Sequence, residues 1–205
     1  MKHYFTNEET KDSPQIINYT YKDMSFRFKT NAGVFSKNKL DYGSIALLNS
    51  IDIKSLEGRV LDLGCGYGTI GIIMGKINSN LLIDMVDINK KAVNLSKENA
   101  AINKVRNTII YESDIFSNVK HKYNSIVTNP PIRAGKDIVL KFLKGASDYL
   151  LSEGVLWFVI RKDQGAKTIV KELESVYDIR NIGKSKGFYI FLAKKLKKVK
   201  NSIDI

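Results

Sequence analysis

The chain has 205 residues, 43% hydrophobic and 26% charged, which suits one self-folding domain and excludes both a disordered chain and two full-sized domains. Its formal charge of +12, still basic without the five lysines between 194 and 200, favours a polyanionic partner. The single cysteine, Cys65, excludes an internal disulfide, two histidines give no metal-ligand spacing, and no apolar run reaches the ~18 residues of a membrane span.

The opening Met1-Lys2-His3-Tyr4-Phe5 has no signal-peptide character, so the expected location is cytoplasmic. Residues 16 to 29 hold two short β-rich runs around Lys22-Asp23, with Phe26 and Phe28 alternating with Arg27 and Lys29, and read as a hairpin. Asp41 is an acceptable N-cap, and Ile45, Leu47, Leu48 and Ile51 recur behind it at helical spacing. From Arg59 onward, apolar runs at 59–63, 81–87, 108–112, 123–128 and 154–160 alternate with amphipathic stretches at 68–77, 90–103, 136–151 and 163–176. Two last runs, 177–182 and 188–193, are joined by a connection too short for a helical crossover and should pair antiparallel. The repeated β-then-α order predicts an α/β fold, a mostly parallel seven-stranded sheet with helices on both faces and an N-terminal β-hairpin. The expected division is a hairpin extension over 1–39, a main domain over 40–194 and a basic, flexible tail over 195–205.

Val60-Leu61-Asp62-Leu63-Gly64-Cys65-Gly66-Tyr67-Gly68 is a hydrophobic strand running into a glycine-rich turn that opens a helix. Glycines permit positive φ and close approach of backbone to a ligand, at the strand ends where such sheets bind nucleosides. A dinucleotide G-x-G-x-x-G fingerprint started at Gly64 meets Thr69 where glycine is needed, which counts against NAD. Asp87 ends the next strand about 20 residues on, suited to ribose hydroxyls, and Asp114 ends the one after, suited to an adenine amino group. Each taken singly could be a tight turn or a helix cap; their succession at consecutive strand ends favours a nucleoside site. Cys65 has no histidine near it in sequence and reads as a small filler.

After the fourth strand comes Asn129-Pro130-Pro131-Ile132, a loop stiffened by two prolines. An exocyclic amine on a purine is a poor nucleophile because its lone pair is conjugated with the ring. If the Asn129 side-chain oxygen and the Pro130 carbonyl accept its two N–H bonds, the nitrogen pyramidalises and its lone pair turns toward an electrophilic methyl group, with no metal required. On this reading Asn129→Asp, which keeps an acceptor, should be milder than Asn129→Ala. The bland alternative is a proline-kinked βα turn.

With these segments the sequence resembles the class I S-adenosylmethionine-dependent methyltransferases, in particular the short, single-domain form of the small-subunit (16S) ribosomal RNA guanine N2-methyltransferase family. Beyond the glycine loop and N-P-P, the resemblance rests on Ala32-Gly33-Val34-Phe35-Ser36, Leu40-Asp41-Tyr42-Gly43-Ser44, Arg133-Ala134-Gly135-Lys136, and Asp87, Asn89, Ala92, Asn99 and Asn103. It implies a Rossmann-like class I methyltransferase fold, S-adenosylmethionine as cofactor, and ribosomal RNA or the small ribosomal subunit as partner; a monomer is favoured, with the oligomeric state left open. The candidate catalytic segment is Asn129, Pro130, Pro131 and Ile132. Candidate cofactor residues are Phe35, Asp62, Gly64, Cys65, Gly66, Gly68, Asp87, Ile88, Asp114, Ile115 and Asn129, and candidate substrate residues are Asp41, Arg133, Lys136 and Arg161. One departure stands out: Ile132 occupies the position after N-P-P where many amino-methyltransferases carry an aromatic residue. Methylation of a protein glutamine amide and a non-catalytic RNA-binding or assembly role are the competing readings.

Overall fold

A computed structural model describes residues 13–196 of the chain. Strands β1 (Gln15–Tyr21) and β2 (Met24–Thr30) form the expected antiparallel hairpin, turning at Lys22-Asp23. Helix α1 (Tyr42–Asn49) follows, and Asp41 caps it by accepting a hydrogen bond from Ser44 N. The main sheet then builds from β3 (Arg59–Leu63), α2 (Thr69–Ile77), β4 (Leu82–Asp87), α3 (Lys90–Ile102), β5 (Thr108–Glu112) and β6 (Tyr123–Thr128). It is completed by α4 (Lys136–Tyr149), β7 (Leu150–Arg161), α5 (Ala166–Leu173), β8 (Tyr177–Ser185) and β9 (Phe188–Lys195).

The seven strands lie in the order β5-β4-β3-β6-β7-β9-β8. All neighbours are parallel except β9, which inserts between β7 and β8 and runs antiparallel to both. Side chains of successive strand residues point to opposite faces, so Val60, Ile83 and Val127 join one core with α1, α2, α3 and the hairpin, while Leu61, Ile126 and Leu156 join the other with α4 and α5. The strand order reverses at β3, with its successors β4 and β5 laid to one side and β6 to the other. A doubly wound sheet opens its ligand crevice at that switch, beyond the strands' C-terminal ends.

The hairpin is held by α3. Asn99 and Asn103 each present a side-chain amide to one residue of β2: Asn99 accepts from Lys29 N and donates to Lys29 O, and Asn103 does the same with Arg27. An i, i+4 rise of ~6 Å on a helix matches an i, i+2 rise of ~6.6 Å on a strand. Two asparagines thereby stand in for a neighbouring strand along this edge.

Three elements differ from the sequence reading by three residues or more. Helix α5 is Ala166–Leu173 rather than 163–176, because residues Lys162–Gln164 turn as a 3-10 helix and Gly165 adopts φ 81. Strand β7 begins at Leu150 rather than 154, its pairing with β6 shifting register between Tyr123 and Ser125. Strand β8 extends into the 183–187 connection as far as Ser185, leaving Lys186-Gly187 as the turn to β9. The expected tail over 195–205 lies outside the described residues from 197 on, while Lys195 belongs to β9.

Candidate active site

The loop from β3 to α2 is pinned to the next strand: Gly64 N and Cys65 N both donate to Val86 O at 2.9 Å. It then turns through left-handed backbone at Gly66 (φ 56) and Gly68 (φ 98). The two glycines are needed for different reasons. A Cβ at Gly68 would stand 2.6 Å from both Ile72 Cδ1 and Ser96 Oγ, whereas one at Gly66 would meet nothing within 4 Å, since that position opens onto the cleft. Gly68 therefore serves packing behind the loop and, unlike Gly64, Cys65 and Gly66, does not line the cleft. Cys65 is buried, which pushes its thiol well above the usual range and leaves it protonated, in keeping with a filler.

Asp87 accepts from Gly66 N through one oxygen and from Asn89 N through the other, both at 2.9 Å. Burial raises its carboxyl, and backbone N–H groups of Asn89, Gly66 and Ile88 counter that. A carboxylate has about four lone-pair sites, so acceptor capacity remains for a ligand hydroxyl. Asn89 continues the chain of contacts by capping α3 and donating to Gly33 O at 3.0 Å. Tyr67 hydroxyl donates to Ser36 O, so the loop carrying Phe35 is tied both to the glycine turn and to the start of α3. Phe35 lines the cleft and is 44% exposed. Ile88, Asp114 and Ile115 line the end beyond Asp87, with Ile115 in left-handed backbone.

Asp62 sits elsewhere than the cofactor role expects. It is fully buried behind the loop, where Oδ2 accepts from Gly71 N at 2.8 Å and Oδ1 has no partner. Desolvation pushes its carboxyl up to about 7. It does not line the cleft; it fixes the first turn of α2, and Gly71 is small because a Cβ there would stand 3.0 Å from Asp62 Oδ2 and 2.7 Å from Met85 Sδ.

At the end of β6, Asn129 Nδ2 donates to Asp41 Oδ2 at 2.7 Å and to Ser44 Oγ at 3.0 Å. The same Asp41 oxygen accepts from Ser44 N at 2.8 Å, so the helix cap doubles as the clamp on the Asn129 amide. Both amide hydrogens being engaged, the amide presents its oxygen as the end still open to a substrate. Ile132 N donates to Pro130 O at 2.8 Å, which leaves that carbonyl its second lone pair. The clamp also changes the expectation for Asn129→Asp: the new carboxylate would face Asp41 across a 2.7 Å gap, so the variant should not be mild.

The candidate substrate cations separate. Arg133 and Arg161 line the cleft, Arg161 forking onto Asp163 at 2.9 and 3.1 Å. Lys136 does not line it and pairs with Glu172 at 2.5 Å. Three participants were not among the candidates: Ser44 on α1, Tyr67 in the glycine loop, and Phe188 at the start of β9, whose ring lines the cleft. Ser44 stood in the Leu40–Ser44 segment that carries the resemblance, but nothing in the sequence signalled Phe188.

Together these residues enclose a cleft of about 520 Å³, within the usual range for a small-molecule site. Among the described residues no three His, Cys, Asp or Glu side chains gather as a metal site, and no helix is long and apolar enough to cross a membrane.

Residues 25–192 match the family model described as methyltransferase small domain. The chain is 41% identical over 199 residues to the uncharacterized protein YbxB of Bacillus subtilis, covering 95% of this chain and 99% of that one. It is 33% identical over 179 residues to ribosomal RNA small subunit methyltransferase C of Vibrio cholerae, covering 85% of this chain but 51% of the relative, so it spans about half of that protein's length. Among solved structures, the 16S rRNA N2 methyltransferase RsmC of T. thermophilus, in complex with AdoMet and guanosine, superposes with a TM-score of 0.79 at 22% identity, over 89% of this chain and 51% of that one. A methyltransferase from Pyrococcus furiosus gives 0.61 at 19% identity, over 73% and 79%. By sequence and by fold, the chain belongs to the methyltransferase small domain family and has the class I, S-adenosylmethionine-dependent methyltransferase architecture.

Proposed function

We propose that the chain transfers a methyl group from S-adenosylmethionine to the exocyclic N2 amino group of a guanine in small-subunit ribosomal RNA. The observation that carries this reading is the clamp on Asn129: its amide hydrogens are spent on Asp41 and Ser44, so its oxygen is the acceptor available to an incoming N–H. The residues present suit the cofactor. Gly66 leaves open space at the turn, Asp87 keeps acceptor capacity for a ligand hydroxyl, and Ile88, Asp114 and Ile115 line the cleft beside it. When bound, the cofactor supplies an electrophilic methyl group on a sulfonium centre.

The protein's contribution is alignment and electrostatics. Asn129 Oδ1 and the free lone pair of Pro130 O accept hydrogen bonds from the target amine and strengthen those bonds as the nitrogen gains positive charge. Prolines 130 and 131 fix the loop so that neither acceptor has to be ordered during reaction. The likeness to the Vibrio and Thermus proteins, both rRNA methyltransferases, supports an RNA substrate, as does the basic composition.

The test is incubation with labelled cofactor and separate pools of ribosomal RNA, small subunits, transfer RNA and protein, followed by mass analysis of nucleosides and peptides. N2-methylguanosine from small-subunit RNA is the expected product. Label confined to glutamine in the protein pool would replace this reading with the amide alternative.

A further inference from the structure

The cleft that holds Asn129 is also lined by Phe188, Arg161 and Arg133, none of which belongs to the cofactor residues. A purine presented to Asn129 needs an apolar surface for its faces, because base–aromatic stacking is what offsets removing a base from its neighbours. Ile132, after the two prolines, offers no ring.

Phe188 does. It opens β9 directly opposite Arg161 in the antiparallel register, and the Arg161 guanidinium lies 5.6 Å from its ring centre. Asp163 holds that guanidinium by a two-point pair. An edge of the ring reaches the clamp itself. A Cβ at Gly43 would stand 2.8 Å from Phe188 Cε1 and 3.0 Å from Asp41 Oδ2, so the bare backbone of α1 is what lets ring and clamp meet. Tyr42 tilts against the ring at 5.7 Å, and its hydroxyl shares a hydrogen bond with Ser185 Oγ that fixes the β8–β9 turn. Lys162 N donates to Gly187 O and anchors the same turn from β7.

We infer that Phe188, supported by Arg161, is the aromatic wall against which the target base packs, taking the part that a ring after N-P-P plays elsewhere. This rests on the reading of the site as a base methyltransferase. The ring is reached through strand insertion and not through the catalytic loop, so base grip and methyl alignment sit on separate elements and should be separable by mutation.

The experiment is steady-state methyl transfer from labelled S-adenosylmethionine to protein-free 16S ribosomal RNA, with cofactor affinity measured by calorimetry, for wild type, Phe188→Leu and Phe188→Tyr. Phe188→Leu should raise the KM for RNA about 5- to 150-fold, the equivalent of a ~1 to 3 kcal/mol stack, with kcat and cofactor affinity near wild type. Phe188→Tyr should restore KM. An unchanged KM in folded Phe188→Leu overturns the inference, and so does a loss of cofactor affinity in that variant, which would make the ring a structural wedge. Should the wild type itself transfer nothing to any RNA, the base methyltransferase reading fails before this question arises.

Discussion

The junction between Asp41 and Asn129 makes a quantitative claim. One carboxylate oxygen accepts three hydrogen bonds, from Ser44 N at 2.8 Å, Ser44 Oγ at 3.2 Å and Asn129 Nδ2 at 2.7 Å. Asp41→Ala removes an N-cap, about 1 kcal/mol, and leaves the Asn129 amide with only Ser44 Oγ, roughly another 1 kcal/mol for a group that stays in reach of water. At ~2–4 °C per kcal/mol for a domain of this size, Tm should fall by about 4–8 °C. The larger effect is on rate. With the clamp gone the amide turns over freely; the floor for rate loss is about twofold, for equal populations of the two flips, and the ceiling is the ~10²- to 10³-fold expected of Asn129→Ala by analogy with deleting one oxyanion donor. A loss of about 10- to 100-fold in single-turnover rate at saturating cofactor is expected. Asp41→Asn keeps a good cap and should hold Tm, yet still slow the reaction because the charge behind the clamp is gone. The decisive variant is the double mutant. Acting only through Asn129, Asp41→Ala should slow Asn129→Ala no further, and fully additive losses would refute the clamp.

Four further expectations can be checked separately. Asn129→Asp should be at least as slow as Asn129→Ala below neutral pH and above it, since either charge repulsion or a shared proton spoils the acceptor; recovery to near wild-type rate would contradict the orientation of the amide. Asp87→Ala should weaken S-adenosylmethionine by about 10- to 150-fold, for the loss of a charge-assisted bond of ~1.5 to 3 kcal/mol, and calorimetry that finds the affinity intact removes Asp87 from the site. Asp62, raised by burial to about 7, contributes stability that is full below its unfolded value near pH 4 and is lost as pH rises through 7. Asp62→Asn should therefore gain on wild type across that window, by up to roughly 1.4 kcal/mol per pH unit, read from denaturant midpoints. Asn103→Ala should speed amide exchange at Arg27 far more than in the central sheet, because that N–H loses its acceptor while β3–β6 pairing is untouched.

Local signals on the chain were legible because their physics is local. Alternating apolar runs decided the strands, and Asp41 followed by helically spaced Ile45, Leu47 and Leu48 decided where α1 starts. Gly64, Gly66 and Asp87 could be named as cleft candidates because a ligand-binding turn needs glycine and a strand-end acid, at a spacing that stays within one βαβ unit. Asp62 and Gly68 belong to the same segments yet face away from the cleft. Only the seating of α2 against β4 decides which side of the turn each serves.

What the sequence could not determine is anything that depends on strands far apart becoming neighbours. It called for β8 and β9 to pair, but not for β9 to slot between β7 and β8, and that insertion alone sets Phe188 against Arg161. The Asn129 amide spans 88 residues to its partner Asp41, a meeting no periodicity encodes, and it reverses the expectation for Asn129→Asp. Patterning specifies which side chains are buried and which backbone turns; the orientation of a side-chain amide is decided by whichever donors and acceptors the packed elements bring within 3 Å, and those exist only once the sheet has closed on α1.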